Sequence, residues 1–315
     1  MRLKRTVLWL VLALMVLVLA AGVSEGERRL GFRFADAAEA AELLLANRDY
    51  YENLNQMDLD YRMQKKGATL AELEAHAARQ TRDYTPEEKE TLTGIMADIE
   101  QRCKKAGYKL PAINNIVFAK TTMEEECGAM GYTHGTQIYL NGEFFDRDAV
   151  QQAEIVAHEI FHCLTRNHPD FRKEMYEILG FTVVEKDFDF GPQVRSAMIS
   201  NPDVERHNSY AAFNIGGKMM NCALVFTTKK PFEKPGDTFF AEMMVGLVPI
   251  DDLSFMYDSK EATNFFEVFG RNTDYVIDPE ETLADNFAYT IVYGLDGKDY
   301  PSPEIIRAID ALLRK

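Results

Sequence analysis

The 315-residue sequence predicts an α+β protein: a helical first third, then a small mixed sheet, then a helix that carries paired histidines. Three observations lead there. From about Ala35 to Gly107 the apolar residues follow a helical period, punctuated by helix-start signals. At Pro111 the texture changes, and Ile116-Val117-Phe118-Ala119-Lys120 and Gln137-Ile138-Tyr139-Leu140 read as strands. The run AVQQAEIVAHEIFHCLTR then returns to helical periodicity, with His158 and His162 one turn apart.

The first residues, MRLKRTVLWLVLALMVLVLAAGVSEGERR, read as a targeting segment. Arg2, Lys4 and Arg5 precede an apolar run from Val7 to about Ala21, followed by the small residues Gly22 and Ser24. Residues 1–24 are therefore expected to be a signal peptide, placing the chain in a secreted or periplasmic, extracytoplasmic compartment. The alternative is a retained N-terminal anchor, in which case residues 7–23 make the only membrane contact. Without Arg2, Lys4 and Arg5 the net charge of −15 becomes about −18. So acidic a body argues against nucleic acid or anionic membrane surfaces as partners. Cys103, Cys127, Cys163 and Cys222 permit two disulfides in an exported chain, in any of three pairings. None has CxxC spacing, and Cys163 sits toward the packed side of its helix.

Residues 25–110 form the expected helical N-terminal region. Residues 35–63 lack Gly and Pro and read as one or two long amphipathic helices. Thr69 with Glu72, and Thr85-Pro86-Glu87-Glu88, are capping boxes that open helices to about Thr81 and Ala106. Residues 111–315 form a second unit. Between its first two strands the triplet Glu124-Glu125-Glu126 reads as a solvated loop. Asp148 caps a helix over about 149–166, and another helix runs from about Asp170 to Gly180. NPDVERHNSY reads as a polar loop, and 221–250 as a β hairpin with strands at 224–228 and 238–245. Asp278-Pro279 opens a helix over about 279–293, and a last helix closes the chain.

On the helix over 149–166, His158 and His162 lie about 40° apart on one face, close enough for both imidazoles to reach one tetrahedral zinc ion. Ala153, Val156, Ala157, Ile160 and Leu164 form the arc that can be buried, and Glu159 points to the side of the histidine pair. His158-Glu159-Ile160-Phe161-His162 resembles the active-site helix of the zincin metallopeptidases. A catalytic site of that kind needs a third protein ligand. His168 has the spacing of the metzincin pattern, yet Thr165 stands where that pattern has glycine. Glu281-Thr282-Leu283-Ala284-Asp285 resembles instead the ExxAD element of gluzincins. That resemblance implies Glu281 as the third ligand of one catalytic zinc ion and Asp285 as an orienting partner for a ligand histidine. Glu280 is the neighbouring alternative, and Glu281 could also simply close a capping box with Asp278. Between His162 and Glu281 lie 118 residues, far more than in thermolysin-like gluzincins.

The resemblance implies a zincin-like catalytic domain with an edge strand, expected at 136–140, over the cleft. It further implies an exported zinc-dependent peptidase acting on peptides or proteins, with Glu159 as general base and His207 and Tyr210 as candidate oxyanion donors. The alternatives are hydrolysis of a non-peptide amide or ester such as cell-wall material, or a non-catalytic binding protein.

Overall fold

The computed structural model describes residues 30–315, and the targeting segment lies outside the described residues. Among the described residues, eleven α-helices and two five-stranded sheets make an α+β fold. The first strand, β1 (Leu30–Phe34), lies just before the helical region and has no counterpart in the sequence reading. Three short helices follow, α1 (Ala37–Leu45), α2 (Arg48–Asn53) and α3 (Gln56–Met63). The expected long helix breaks because Asn47 donates back to the Leu43 and Leu44 carbonyls, while Asn55 forms a capping box with Asp58. Short amide side chains compete locally for backbone groups, and here they end one helix and start another. The next two helices, α4 (Leu70–Gln80) and α5 (Pro86–Ala106), are separated by β2 (Thr81–Arg82). Both open on capping boxes, at Thr69 and Thr85, and α5 ends on the left-handed Gly107.

In the first sheet β3 (Ile113–Thr121) is central: β1 and β5 (Gln137–Leu140) pair with it in parallel, and β2 in antiparallel. β4 (Gly131–His134) pairs antiparallel with β5 and forms the edge. The expectation that 136–140 is the edge strand is therefore corrected. β5 is bonded on both sides, and its hairpin partner β4 turns through Gly135, at φ +58°, to take the outer place. The acidic triplet is likewise not a solvated loop. It forms a 3₁₀ turn in which Glu125 and Glu126 are buried. Glu126 accepts from the Arg62 guanidinium and the Tyr50 hydroxyl, and Glu125 accepts from the Tyr132 hydroxyl at 2.9 Å. Burial pushes the Glu125 carboxyl up to about 7.

After β5 come α6 (Ala149–Asn167) and α7 (Pro169–Ile178). The second sheet is antiparallel throughout: β6 (Thr182–Val183), β7 (Ser209–Ile215), β8 (Lys218–Thr228), β9 (Met243–Pro249) and β10 (Tyr257–Asp258). A short helix, α8 (Pro192–Ala197), interrupts the long connection between β6 and β7. The chain ends with α9 (Phe265–Phe269), α10 (Pro279–Tyr293) and α11 (Pro303–Leu313). The long stretch between His162 and Glu281 is thus occupied by α7, the whole second sheet and α9.

One hydrophobic core joins β3, β5, α5, α6, α10 and the second sheet. Val156, Ala157, Ile160, Phe161 and Leu164 of α6 are fully buried in it. Large apolar side chains such as these each contribute about 1.5–3 kcal/mol on burial. All four cysteines are free thiols, with Cys103, Cys163 and Cys222 buried in the core, so neither permitted disulfide forms. Burial pushes the Cys103 and Cys127 thiols up to about 12, which leaves them unreactive. Among the described residues, no helix is long and apolar enough to cross a membrane.

Candidate metal centre

Asp148 starts α6 by accepting from the Val150 and Gln151 amides at 2.9 Å. The helix enters as an amphipathic element, but Glu159, His162 and Thr165 are buried along with the apolar residues around them. Buried polar groups require partners, and most of these have them. Glu159 accepts from the Thr133 hydroxyl of β4 at 2.7 Å. His162 Nδ1 donates to Glu280 Oε1 at 3.0 Å, and Glu280 also accepts from the Thr165 and Tyr176 hydroxyls. His162 Nε2 alone is left, fully buried and without a hydrogen-bond partner.

α10 packs along α6 and supplies what that nitrogen faces. Its start at Asp278-Pro279 sends Glu280 and Glu281 inward, and both are buried. Glu281 Oε2 lies 3.1 Å from His158 Nε2 and 3.7 Å from His162 Nε2. One turn later Asp285 accepts from His158 Nδ1 at 2.8 Å and is itself held by the Thr273 hydroxyl. Asn201 donates to Glu281 Oε1, so the other oxygen is free to face both imidazoles. Glu281 does not close a capping box; Asp278 accepts from the Glu280 amide instead.

These atoms could hold a metal ion. Ligands at about 2.0–2.1 Å around a tetrahedral centre stand roughly 3.3–3.5 Å apart. His158, His162 and Glu281 offer three donor atoms, all within 4.8 Å of one another. Each histidine gives its Nδ1 proton to a carboxylate, which fixes the tautomer that leaves Nε2 free to coordinate. The electrostatics agree. Burial opposes a charge on His158, but Asp285 and Glu281 outweigh it and hold its pKa well above the usual value. Negative charge that draws a proton to these nitrogens also draws a divalent cation. Glu280→Gln and Asp285→Asn, each removing one orienting carboxylate, are expected to weaken zinc binding about 10–100-fold. Competition with a chromogenic chelator measures the change.

His168, the alternative ligand, ends α6 and donates from Nε2 to the Ala112 carbonyl at 3.2 Å. The helix runs straight through Thr165, so the turn that would bring His168 back is missing. His207 packs its ring on Phe190, and Tyr210 packs on Phe188 within the second sheet. Among the described residues, no hydrogen bond or ring contact links either to His158, His162 or Glu281. Tyr275 is in the neighbourhood instead. Its ring centroid is 6.4 Å from that of His158. Burial, followed by the charges of Glu281, Asp203, Asp285 and Glu159, holds its phenol protonated, well above the usual range.

Asp203 is another residue that the sequence did not single out. Its Oδ1 lies 3.9 Å from His162 Nε2, and its carboxylate groups with Glu159 and His162 within 4.8 Å. Burial and then the Glu159 charge raise its pKa well above the normal value. Asn201 and Asp203 come from the polar loop NPDVERHNSY, where no spacing or periodicity marks them.

A family model described as the eCIS core domain matches residues 118–169, from within β3 to just past α6. The match includes the edge strand, Glu159 and both helix histidines, and ends far short of Glu281. No curated protein and no solved structure matches the chain.

Proposed function

We propose that the protein is a zinc-dependent metallopeptidase of zincin type, gluzincin branch, with His158, His162 and Glu281 as the ligands of one catalytic ion. The observation that carries this reading is the buried, unpartnered His162 Nε2, which points where His158 Nε2 and Glu281 Oε2 also point. The placement of β4 beside Glu159 supports it further, since an edge strand next to the metal helix can bind an extended substrate by strand addition.

Bound there, zinc would polarise a substrate carbonyl and supply a water acidic enough to lose its proton near neutrality. Glu159 accepts that proton and returns it to the leaving amine nitrogen, serving as base and then as acid. The Thr133 hydroxyl holds one oxygen of Glu159 and so sets its rotamer. The Tyr275 phenol, held protonated and with its ring centroid 6.4 Å from that of His158, is our candidate donor to a developing oxyanion. It takes the role for which His207 and Tyr210 were candidates. Glu280, Asp285 and Asn201 hold the ligands in place.

β4 must come close to Glu159 for this to work. A Cβ added at Gly131 would lie 2.8 Å from Glu159 Oε1 and 3.1 Å from Leu140 Cδ2. Gly131→Ala should therefore displace the base, lowering hydrolysis on the order of tenfold to a hundredfold with zinc content unchanged. Metal analysis beside a peptide assay separates the two effects.

The reading is tested by metal analysis of the purified protein and incubation with a peptide library, with new amino termini identified by mass spectrometry. One zinc per chain and cleavage abolished by a chelator are expected. Zinc without peptide cleavage, but with release from a non-peptide amide or ester, would move the substrate to that class. Absence of zinc would leave a binding protein. An exported location rests on residues 1–24 and is tested by sequencing the mature N-terminus.

A further inference from the structure

The second sheet and α9 border a cavity of about 530 Å³ that is separate from the metal centre. Val245 of β9, Ala262, Phe265 of α9 and Val276 give it apolar walls. Lys260 and Arg271 line it as well, and Glu267 is the one carboxylate among the lining residues. Two cations against one anion make this lining net positive in a chain whose formal charge is −15. So acidic a body repels anions, and a place that accepts one has to supply its own cations.

The cations of this cavity are also unengaged, unlike those of the other cavities. In the groove of about 1050 Å³ between α2 and residues 187–207, Arg48 pairs with Glu52 and Glu74. Arg195 and Arg206 of the same groove pair with Asp189 and Asp187. In the cavity of about 320 Å³ beside Glu280, Arg166 pairs with Glu205 and Arg172 donates to Asn208. Among the described residues, neither Lys260 Nζ nor the Arg271 guanidinium has a salt bridge or a hydrogen-bond acceptor.

Both cations stand on fixed backbone. The Lys260 amide donates to Asp258 Oδ1 at 3.0 Å in the turn after β10. The Arg271 amide donates to Ser302 Oγ at 3.0 Å, and Asn272 exchanges two 2.8 Å bonds with the Ser302 backbone. Gly270 permits this close docking at the start of α11, because at φ +70° an added Cβ would meet the Ile305 and Ser302 side chains. The Arg271 side chain lies over the Phe266 ring, its guanidinium carbon 4.3 Å from the centroid. Stacking occupies a face of the guanidinium and leaves the N–H groups around its edge for an acceptor in its plane. Donors aligned before a ligand arrives lose less entropy on binding it.

We propose that this cavity is a binding site for an organic anion, a carboxylate carried on an apolar body. Arg271 takes the carboxylate on the fork of its guanidinium, which matches it bidentately. Lys260 supplies the second charge, and Val245, Phe265 and Val276 cover the apolar part. The site shares a chain segment with the metal centre, since Thr273, which holds Asp285, and Tyr275, near His158, lie between Arg271 and Val276. It stands independently of the metallopeptidase reading.

The test titrates the full chain with para-trifluoromethylbenzoate and reads binding by fluorine NMR. The wild type is expected to bind this probe, and the neutral para-trifluoromethylbenzamide at least about tenfold more weakly, because the charge-assisted bonds are lost. Arg271→Gln should weaken the benzoate about tenfold and Lys260→Gln about threefold. Thermal midpoints of both variants should stay near that of the wild type, since neither side chain is hydrogen-bonded within the fold. Added salt should weaken the benzoate and leave the amide unchanged. Displacement by a blocked peptide with glutamate beside phenylalanine, and not by its glutamine counterpart, would name a polypeptide as the source of the carboxylate. Displacement by benzoate alone would name a small acid, and either result upholds the site. Equal binding by the wild type and Arg271→Gln would overturn it, because the probe would then sit elsewhere on the chain. Amide binding as tight as that of the benzoate would overturn it too, leaving a merely apolar cavity. Inorganic phosphate that displaces the probe as well as benzoate does would overturn the ligand class, since no apolar body would be needed.

Discussion

Glu159→Gln is expected to lose about 10²–10⁴-fold in peptide hydrolysis while retaining its zinc. The amide is nearly isosteric and can still accept from the Thr133 hydroxyl, so the packing between β4 and α6 should persist. It cannot take a proton from water at neutral pH. Glu159 is not among the proposed ligands, and metal content should stay at one ion per chain. Steady-state kinetics on a cleaved library peptide, with metal analysis of the same preparation, measures both. Full activity in the zinc-loaded variant would remove Glu159 from the mechanism. Loss of the metal would make Glu159 a ligand and call for a different base.

Arg62→Ala should be the most destabilising single change outside the metal centre. The guanidinium is buried and bonded to Asp58 at 2.8 Å, Glu126 at 2.8 Å and the Ser200 carbonyl at 2.7 Å. Burial opposes its charge, but Glu126, Tyr50 and Asp58 outweigh that and raise its pKa well above the usual value. Removing it leaves two carboxylates buried close together without a counter-charge. Breaking a buried pair in this way costs about 3–5 kcal/mol. Urea unfolding should show the midpoint falling with little change in slope. A loss under about 1 kcal/mol, the range of exposed ion pairs, would mean that water reaches these carboxylates.

The parts of the site that were legible in the sequence are those whose geometry is local. His158 and His162 share a helix face whatever surrounds them, and Glu281 and Asp285 stand in the same relation on their own helix. The structure brings these four together by packing α10 along α6. The helix starts at Thr69, Thr85, Asp148 and Asp278 were legible for the same reason, because a cap bonds only its own first turn. The breaks at Asn47 and Asn55 were not, since asparagine leaves the choice between continuing a helix and capping one to its neighbours. The edge strand was missed because Gly131-Tyr132-Thr133-His134 is short and follows a glycine-bearing turn, which reads as loop. Asn201, Asp203 and Tyr275 were hidden for a different reason. Each reaches the site through tertiary packing across a long sequence separation, and no periodicity records that. Glu280 was seen only as a substitute for Glu281, whereas the structure gives it a separate task, orienting His162 from the other side.

The central claim is that one ion is held by two residues of α6 and one of α10. Anomalous X-ray diffraction at the zinc edge, from crystals of the zinc-loaded chain, tests it most directly. The account predicts a single strong peak within about 2.2 Å of His158 Nε2, His162 Nε2 and a Glu281 oxygen. A peak that instead includes His168, or one remote from Glu281 in a protein that still hydrolyses peptides, would contradict it.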